Sequence, residues 1–390
     1  MKKFTADYVY TVEDKEPIPN GLVVTDDDGK ILSITSYSGD NNKDVIYHKG
    51  VIVPGFINSH CHLELSHLKG KIKEKEGLPS FIKNVIAIRN VAEAEIEKAM
   101  IAADKQMQKN GIVGVGDISN TVISADIKAK SPIRYHTFVE MVGLDPAKSQ
   151  ELITKADALK SKFEHSGSAS ITLHASYTLS KALVKDLRRY CKNEKNLISL
   201  HSQENEDENA FYRYKTGAFV QLYEDLGINL DYFVAMSKNT LQAIVPLLPQ
   251  DQNVLLVHNT FTTLKDVYML RRFNVDIFWC FCPGANLYIE NTMPNFKFFE
   301  KSGYLATLGT DSLASNHSLS ILDEMKLVQK SGRGISFDEM LEWATINGAK
   351  FFGWDSELGS IKKGKTPGLN LITNFKDGHI TPKSEVVKLI

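Results

Sequence analysis

Val51-Ile-Val-Pro-Gly-Phe-Ile-Asn-Ser-His60-Cys-His62 is an apolar, strand-like run that ends in two histidines. Side chains two apart on a strand share a face, so both imidazoles reach one point in space. Two neutral imidazoles converging at a strand end make half of a divalent metal site. Three further residues extend the pattern: His201, His258 and Asp311 each close, or follow directly on, an apolar strand-like run.

Working outward from this run, strand patterns recur at 112–117, 134–140, 169–174, 197–201, 254–258, 275–282 and 305–310. Helical periodicity fills most gaps, as at 92–109, 180–192 and 336–352. Pro79-Ser80 opens an amphipathic stretch whose apolar residues Phe81, Ile82, Val85, Ile86 and Ile88 recur at helical spacing. Counted with the strand after Pro54, eight strands each followed by a crossover match the arithmetic of a (β/α)8 barrel. In such a barrel the strand C-termini converge on one mouth, which would gather His60, His62, His201, His258 and Asp311. The first 50 residues read as short strands, with Asp26-Asp-Asp-Gly29 as a hairpin signal. The last 35 return to strand-like material at 359–361, 368–373 and 386–390. The expected architecture is α/β: a TIM-like barrel over 54–354, with a small β-sandwich made from 1–53 plus 355–390.

With 46 basic and 47 acidic residues, the net charge of −1 argues against nucleic-acid or membrane-surface partners. A small, weakly charged or zwitterionic substrate is the natural ligand. No apolar leader core follows the N-terminus, and no run approaches the roughly 18 apolar residues of a membrane span. Four scattered cysteines do not make a disulfide framework, so the expected setting is the reduced cytoplasm. Cys280 and Cys282 read as buried strand thiols in preference to a soft-metal pair. The Pro-Cys-x-x-Cys element of the cysteine-ligated zinc deaminases is absent.

Taken together, these motifs resemble the amidohydrolase superfamily, in its mononuclear branch of guanine, cytosine and S-adenosylhomocysteine deaminases. The resemblance runs through Pro54-Gly-Phe-Ile-Asn-Ser-His-Cys-His62, His201-Ser-Gln-Glu204, Val257-His258-Asn, Cys282-Pro-Gly-Ala-Asn286-Leu and Leu308-Gly-Thr-Asp311-Ser-Leu. It reaches the C-terminus with Ala344-Thr-Ile-Asn-Gly-Ala349 and Gly359-Ser-Ile-Lys-Lys-Gly364-Lys. It implies one divalent ion, zinc or iron, on His60, His62, His201 and Asp311. A hydroxide on that ion would attack an amidine-like carbon and release ammonia. Glu204 would shuttle the proton, His258 would hydrogen-bond the water, and Asp311 would also help to accept its proton. Binuclear members carry a carboxylated lysine on strand four; here 168–174 holds no lysine, which points to a single metal. His174-Ala-Ser-Tyr177-Thr resembles the substrate-facing His-x-Pro-Tyr-Thr segment, with Ser176 in place of proline.

The continuation Leu63-Glu64-Leu65-Ser66-His67-Leu is most similar to the aminodeoxyfutalosine deaminases, which act on an adenine nucleoside bearing a benzoate. That likeness places Glu64 and Ser66 at the pocket wall, or else in a structural rim loop. Glu140 is a candidate lining residue, and Arg89 and Arg213 are candidates to meet a carboxylate. Phe211, Tyr212 and Tyr214 could stack on a base or pack a lid. Of the acidic run after His201, Glu204 is taken as functional, while Glu206, Asp207 and Glu208 read as a solvated face. Guanine, S-adenosylhomocysteine, adenosine, methylthioadenosine, triazines and cyclic amides stay open as alternative substrates. A non-catalytic barrel is the alternative of another class, and a homodimer is compatible with the superfamily.

Overall fold

The structure is a computed structural model that describes residues 1–39, 44–235, 237–273, 275–300 and 302–390. Residues 40–43, inside the N-terminal part of the expected β domain, lie outside the described residues. The run that carries the first histidines is broken in two. Ile46–Pro54 is a strand of a terminal sheet, and Phe56–Cys61 (β1) begins the parallel layer. The break falls at Gly55, where a Cβ would sit 2.5 Å from Val113 and 2.6 Å from the Pro367 carbonyl oxygen. Only glycine lets the two backbones pass this closely.

Seven more strands follow: β2 Ile112–Ser119, β3 Arg134–Met141, β4 Ser168–Leu173, β5 Ile198–Ser202, β6 Asn253–His258, β7 Asp276–Phe281 and β8 Leu305–Leu308. Helical segments lie between most of them, among them Leu78–Ile88, Glu93–Lys109 and Lys181–Tyr190. The helical pattern over 336–352 is two helices, Phe337–Ala344 and Ile346–Phe352, interrupted at Thr345 (φ −138°, ψ −90°). Residues 359–361 form no strand; the Ile361 N–H instead donates to the Thr11 carbonyl at 2.9 Å.

The eight strands form two parallel four-stranded sheets, β1-β2-β3-β4 and β5-β6-β7-β8, not one uninterrupted ladder. Side chains stand in for ladder bonds where the sheets meet. Between β4 and β5, Thr172 Oγ1 donates to the Ser199 carbonyl at 2.6 Å and accepts the Ser199 N–H at 2.8 Å. Asn196 likewise receives the Ile171 N–H at 3.0 Å and donates to its carbonyl at 2.9 Å. Single parallel bridges, Ala175–His201 and Cys61–Asp311, complete the two seams at the C-terminal ends of the strands. Both bridges contain residues singled out above, so the seams bring the site together.

Apolar side chains divide along the strands with period two, as alternating burial requires. Val254 and Leu256 join the layer shared with the helices. Leu255 and Val257 join a second cluster with Ile57, Ile118, Phe138, Cys280, Phe351 and Phe352.

Both termini meet in one mixed sheet of seven strands, where the sequence suggested a sandwich. Its order is Val386–Lys388, Leu369–Ile372, Ile46–Pro54, Lys2–Val9, Gly21–Thr25 and Ile31–Ser36, with Ile18–Pro19 paired to Lys2–Val9. The expected hairpin joins Gly21–Thr25 to Ile31–Ser36. This sheet has its own apolar cluster, including Phe4, Val23, Ile52, Leu369 and Leu371. Among the described residues no helix is long and apolar enough to cross a membrane. All four cysteines are free and buried.

Candidate active site

β1 and the segment after β8 are locked together before any ligand chemistry begins. Asn58 Nδ2 donates to Thr310 Oγ1 at 2.8 Å, and the Thr310 N–H donates back to Asn58 Oδ1 at 3.0 Å. Thr310 and Asp311 both donate backbone N–H groups to the His60 carbonyl, at 3.0 and 3.1 Å. Gly309 permits this approach, since a Cβ there would lie 2.9 Å from His60 Cβ and 3.0 Å from Cys280 Sγ. Asp311, three residues past the end of β8, turns into the left-handed region (φ 55°) with its carboxylate beside the two histidines.

Three imidazole tips and this carboxylate converge. His62 Nε2 lies 3.1 Å from His60 Nε2, 3.2 Å from His201 Nε2 and 3.4 Å from Asp311 Oδ1. His60 Nε2 is 3.8 Å from the same oxygen. Donor atoms of His60, His201, His258 and Asp311 fall within 4.8 Å of one another, so His258 adjoins the set.

The opposite ring nitrogens are already engaged. His201 Nδ1 donates to the His174 carbonyl at 2.7 Å, His258 Nδ1 faces Asn286 Oδ1 at 2.8 Å, and His60 Nδ1 faces Ser199 Oγ at 3.2 Å. A proton on Nδ1 leaves Nε2 with a bare lone pair, the arrangement typical of metal-ligating histidines. Burial holds all four rings neutral: His62 and His201 are pushed down to about 3, and His60 and His258 are also lowered. His62 Nε2 lies 3.1–3.2 Å from two other Nε2 atoms, close to the spacing of nitrogens that share one ion at about 2.0–2.1 Å in a tetrahedral site. The donor set therefore fits a divalent ion.

Glu204 stands beside this cluster, its Oε1 3.6 Å from His258 Nε2. Burial, reinforced by Asp311, Glu208 and Glu290, holds its carboxyl well above the usual carboxylate range. His258 continues the alternation of Val254 and Leu256, yet its ring faces the site. Its φ of 72° is where the alternation breaks, and the neighbouring Asn259 is also left-handed (φ 55°). Such backbone in non-glycine residues is costly and concentrates at functional sites.

A cavity of about 310 Å³ holds His62, His201, Glu204, His258 and Asp311 together with Glu140, His174, Tyr177 and Arg89. Its apolar wall comes largely from helix Leu78–Ile88, through Leu78, Phe81, Ile82, Val85 and Ile86. Glu140 Oε2 accepts from Asn120 Nδ2 at 3.1 Å, while Oε1 is buried with no hydrogen-bond partner among the described residues. Glu64 and Arg213 lie apart from the cavity lining. The Glu64 carboxylate accepts the Asn120 and Thr121 N–H groups, both at 3.1 Å, and so ties down that loop. Arg213 is exposed and donates to the Lys238 carbonyl at 2.9 Å. Phe211 and Tyr212 are buried, and Tyr214 is exposed.

One expectation is corrected outright. Glu206 is solvated, but Glu208 is fully buried, with its carboxylate folded back onto the segment that carries Glu204. No spacing rule separates it from its acidic neighbours, because its burial depends on what the preceding backbone lacks. A second residue escaped the reading of the sequence: Asp117, on β2, accepts the Leu63 N–H at 2.7 Å and pairs with buried Lys128 at 2.7 Å.

A sequence profile of the Amidohydrolase family matches residues 51–389. Adenosine deaminase of Helicobacter pylori is 26% identical over 311 residues, covering 77% of this chain and 74% of that protein. The 5'-deoxyadenosine deaminase of Methanosarcina acetivorans is 27% identical over 407 residues, covering 97% and 85%. In fold, the chain superposes on the crystal structure of Helicobacter pylori aminofutalosine deaminase in complex with methylthio-coformycin. The TM-score is 0.81 at 23% identity, over 97% of this chain and 94% of that one.

Proposed function

Because this chain belongs to the Amidohydrolase family, we propose that it is a metal-dependent aminohydrolase releasing ammonia from an aminated purine. An adenine nucleoside such as aminodeoxyfutalosine is the leading substrate. The observation that carries the proposal is the placing of a buried Glu204 carboxyl 3.6 Å from His258, in one cavity with His62, His201 and Asp311 of the donor cluster. The names borne by its relatives, adenosine deaminase and 5'-deoxyadenosine deaminase, favour an adenine nucleoside over a free base.

We assign the ion to His60, His62, His201 and Asp311. Three imidazole nitrogens and one carboxylate suit zinc first and iron second. When bound, such an ion is a Lewis acid that brings the pKa of water close to neutrality. His258, its ring oriented by Asn286, presents Nε2 as an acceptor to the attacking water. Glu204 removes one proton from the water and delivers it to a ring nitrogen; the proton left on the added hydroxyl then passes, by way of Asp311 and Glu204, to the amine, which leaves as ammonia as the C=O forms. One carboxyl serves as base and then as acid, a role favoured by a raised pKa. Ser315 Oγ donates to Asp311 Oδ2 at 2.5 Å, leaving Oδ1 towards the histidines.

Glu140 and His174 line the same cavity, and Arg89 is the one arginine or lysine among the described residues that line it. An apolar wall with one such cation suits a nucleoside whose substituent is apolar and ends in an anion, and it makes Arg89 the candidate for that end. Glu64 and Arg213 take supporting places. We also propose that the two parallel sheets function as one (β/α)8 barrel over 54–354, with residues 1–53 plus 355–390 as a composite β domain. The separate apolar cluster of the terminal sheet supports that division. A non-catalytic barrel has no use for a buried, proton-holding Glu204, which weighs against that alternative.

The test is ammonia release by zinc-loaded protein on aminodeoxyfutalosine, S-adenosylhomocysteine, adenosine, methylthioadenosine, adenine, guanine and cytosine. Strong preference for one adenine nucleoside supports the proposal. Release from guanine alone moves the assignment to a free base. No release from any of them ends the purine reading and turns the search to triazines and cyclic amides.

A further inference from the structure

Glu208 is a buried acid that the chemistry above does not use. It lies in the first turn of helix Asp207–Tyr214, and its carboxylate turns back onto the three residues leading out of β5. Oε1 accepts the Glu204 N–H at 2.7 Å and the Asn205 N–H at 3.2 Å. Oε2 accepts the Gln203 N–H at 3.2 Å and the Ser176 hydroxyl at 3.3 Å. Three consecutive backbone donors around one carboxyl group form a nest, filled here by the chain's own side chain; burial pushes that group up to about 7, while the N–H bonds pull it down.

The segment needs this partner. Residues 203–205 belong to neither β5 nor the helix, and all three are buried. Gln203 is left-handed (φ 45°), which turns the chain out of the strand direction. Buried N–H groups without acceptors are costly, so this carboxyl decides which conformation the segment keeps. Side chains brace the same segment from both flanks. Thr262 Oγ1 donates to Gln203 Oε1 at 2.6 Å, and Asn205 Nδ2 donates to Glu290 Oε1 at 2.7 Å.

We propose that Glu208 is the positioning residue for the proton-shuttling carboxyl: by gripping the backbone of 203–205 it holds Glu204 in register with His258. This rests on the reading of Glu204 given above. An ordinary helix cap in the same place would stabilise the fold but leave turnover per folded molecule untouched, and that difference makes the role measurable.

The experiment compares Glu208→Ala, Glu208→Asp, Glu204→Gln and the double variant Glu204→Gln/Glu208→Ala, with adenosine as the probe. Zinc content and hydrogen exchange of the peptide spanning 203–205 are measured on the same preparations. A misplaced reacting group costs about 10²-fold, so Glu208→Ala is expected to lose about that in kcat, with KM and zinc content little changed. Glu208→Asp, which keeps the charge but withdraws the acceptor by one methylene, is expected to lose less. Both should exchange the 203–205 amides faster. Glu204→Gln is expected to lose about 10²–10⁴-fold. The double variant should lose no more than Glu204→Gln alone, because Glu208 acts through Glu204. Near-normal kcat in folded Glu208→Ala, or in Glu208→Asp should the alanine variant not fold, overturns this inference alone if Glu204→Gln is inactive. Near-normal turnover in Glu204→Gln overturns the reading of Glu204 and this inference with it.

Discussion

Replacing Lys128 by methionine is expected to cost about 3–5 kcal/mol of stability, the range for stranding one member of a buried ion pair. Lys128 and Asp117 have no exposed side-chain surface and meet at 2.7 Å. The ammonium has three donors, and three acceptors surround it: Asp117 Oδ2, Ser119 Oγ at 2.9 Å and Thr137 Oγ1 at 3.0 Å. Methionine is nearly as long as lysine, so the cavity left behind is small, and the stranded carboxylate outweighs the lost contact of the ammonium with the Phe163 ring, 4.9 Å away. Against a total of about 5–15 kcal/mol for a folded domain, that is a large share. The damage should also reach the metal centre. Asp117 Oδ1 accepts the Leu63 N–H at 2.7 Å, and Leu63 directly follows His62. Urea unfolding at 25 °C measures the first effect, and zinc competition against a chromophoric chelator the second. The paired variant Asp117→Asn/Lys128→Met should lie closer to the wild type than Lys128→Met does, since removing both charges of a buried pair is often nearly neutral. A loss below about 1 kcal/mol in the single variant, or losses that simply add in the pair, would refute the reasoning.

His60→Ala should strip the ion, because it removes a central donor of the cluster; unchanged zinc content by mass spectrometry would remove His60 from the site. Arg89→Leu should weaken turnover of a substrate with a distal carboxylate by about 10–150-fold in kcat/KM, the worth of a charged hydrogen bond, while sparing adenosine. Arg213→Ala, by contrast, should leave both substrates unaffected, and equal effects of the two arginine changes would contradict the cavity assignment. His136 is buried between Ser168 and Ser170, and burial followed by Lys128 lowers its pKa from 6.5 to about 3. Between those values the unfolded chain binds the extra proton, so stability falls as pH drops from about 6.5 towards 3. His136→Gln should flatten that limb by up to one proton, and superimposable urea midpoints against pH for the two proteins would dismiss the effect.

Much of the site was legible before any coordinates, because its signals are local. A strand ending in His-x-His states its own geometry, and so does an imidazole or carboxylate at the end of an apolar run. The eight parallel strands appear with boundaries within two residues of those expected, since period-two apolar runs bounded by turns are fixed by neighbours in the chain. The short distance along the chain from His201 to Glu204 placed that carboxyl near the same pocket, and the resemblance to the family implied its role.

Other features depended on partners remote in sequence. Glu208 and Glu206 look alike in a string, but one fills a nest of three N–H groups and the other faces water. Arg89 and Arg213 were equal candidates until helix Leu78–Ile88 brought the first to the cavity and Arg213 stayed exposed. The terminal strands were expected in two layers, and pairing across the whole length of the chain joined them in one sheet. The division of the parallel strands into two sheets follows from Thr172 and Asn196 capturing backbone groups that a ladder would otherwise use. Sequence by itself determined most element types and, through its motifs, the family, and it singled out the candidate metal donors that the fold brings together. Tertiary structure decided which charges are buried and what they hold, because desolvation and the pairing of buried polar groups are set by everything that packs around them.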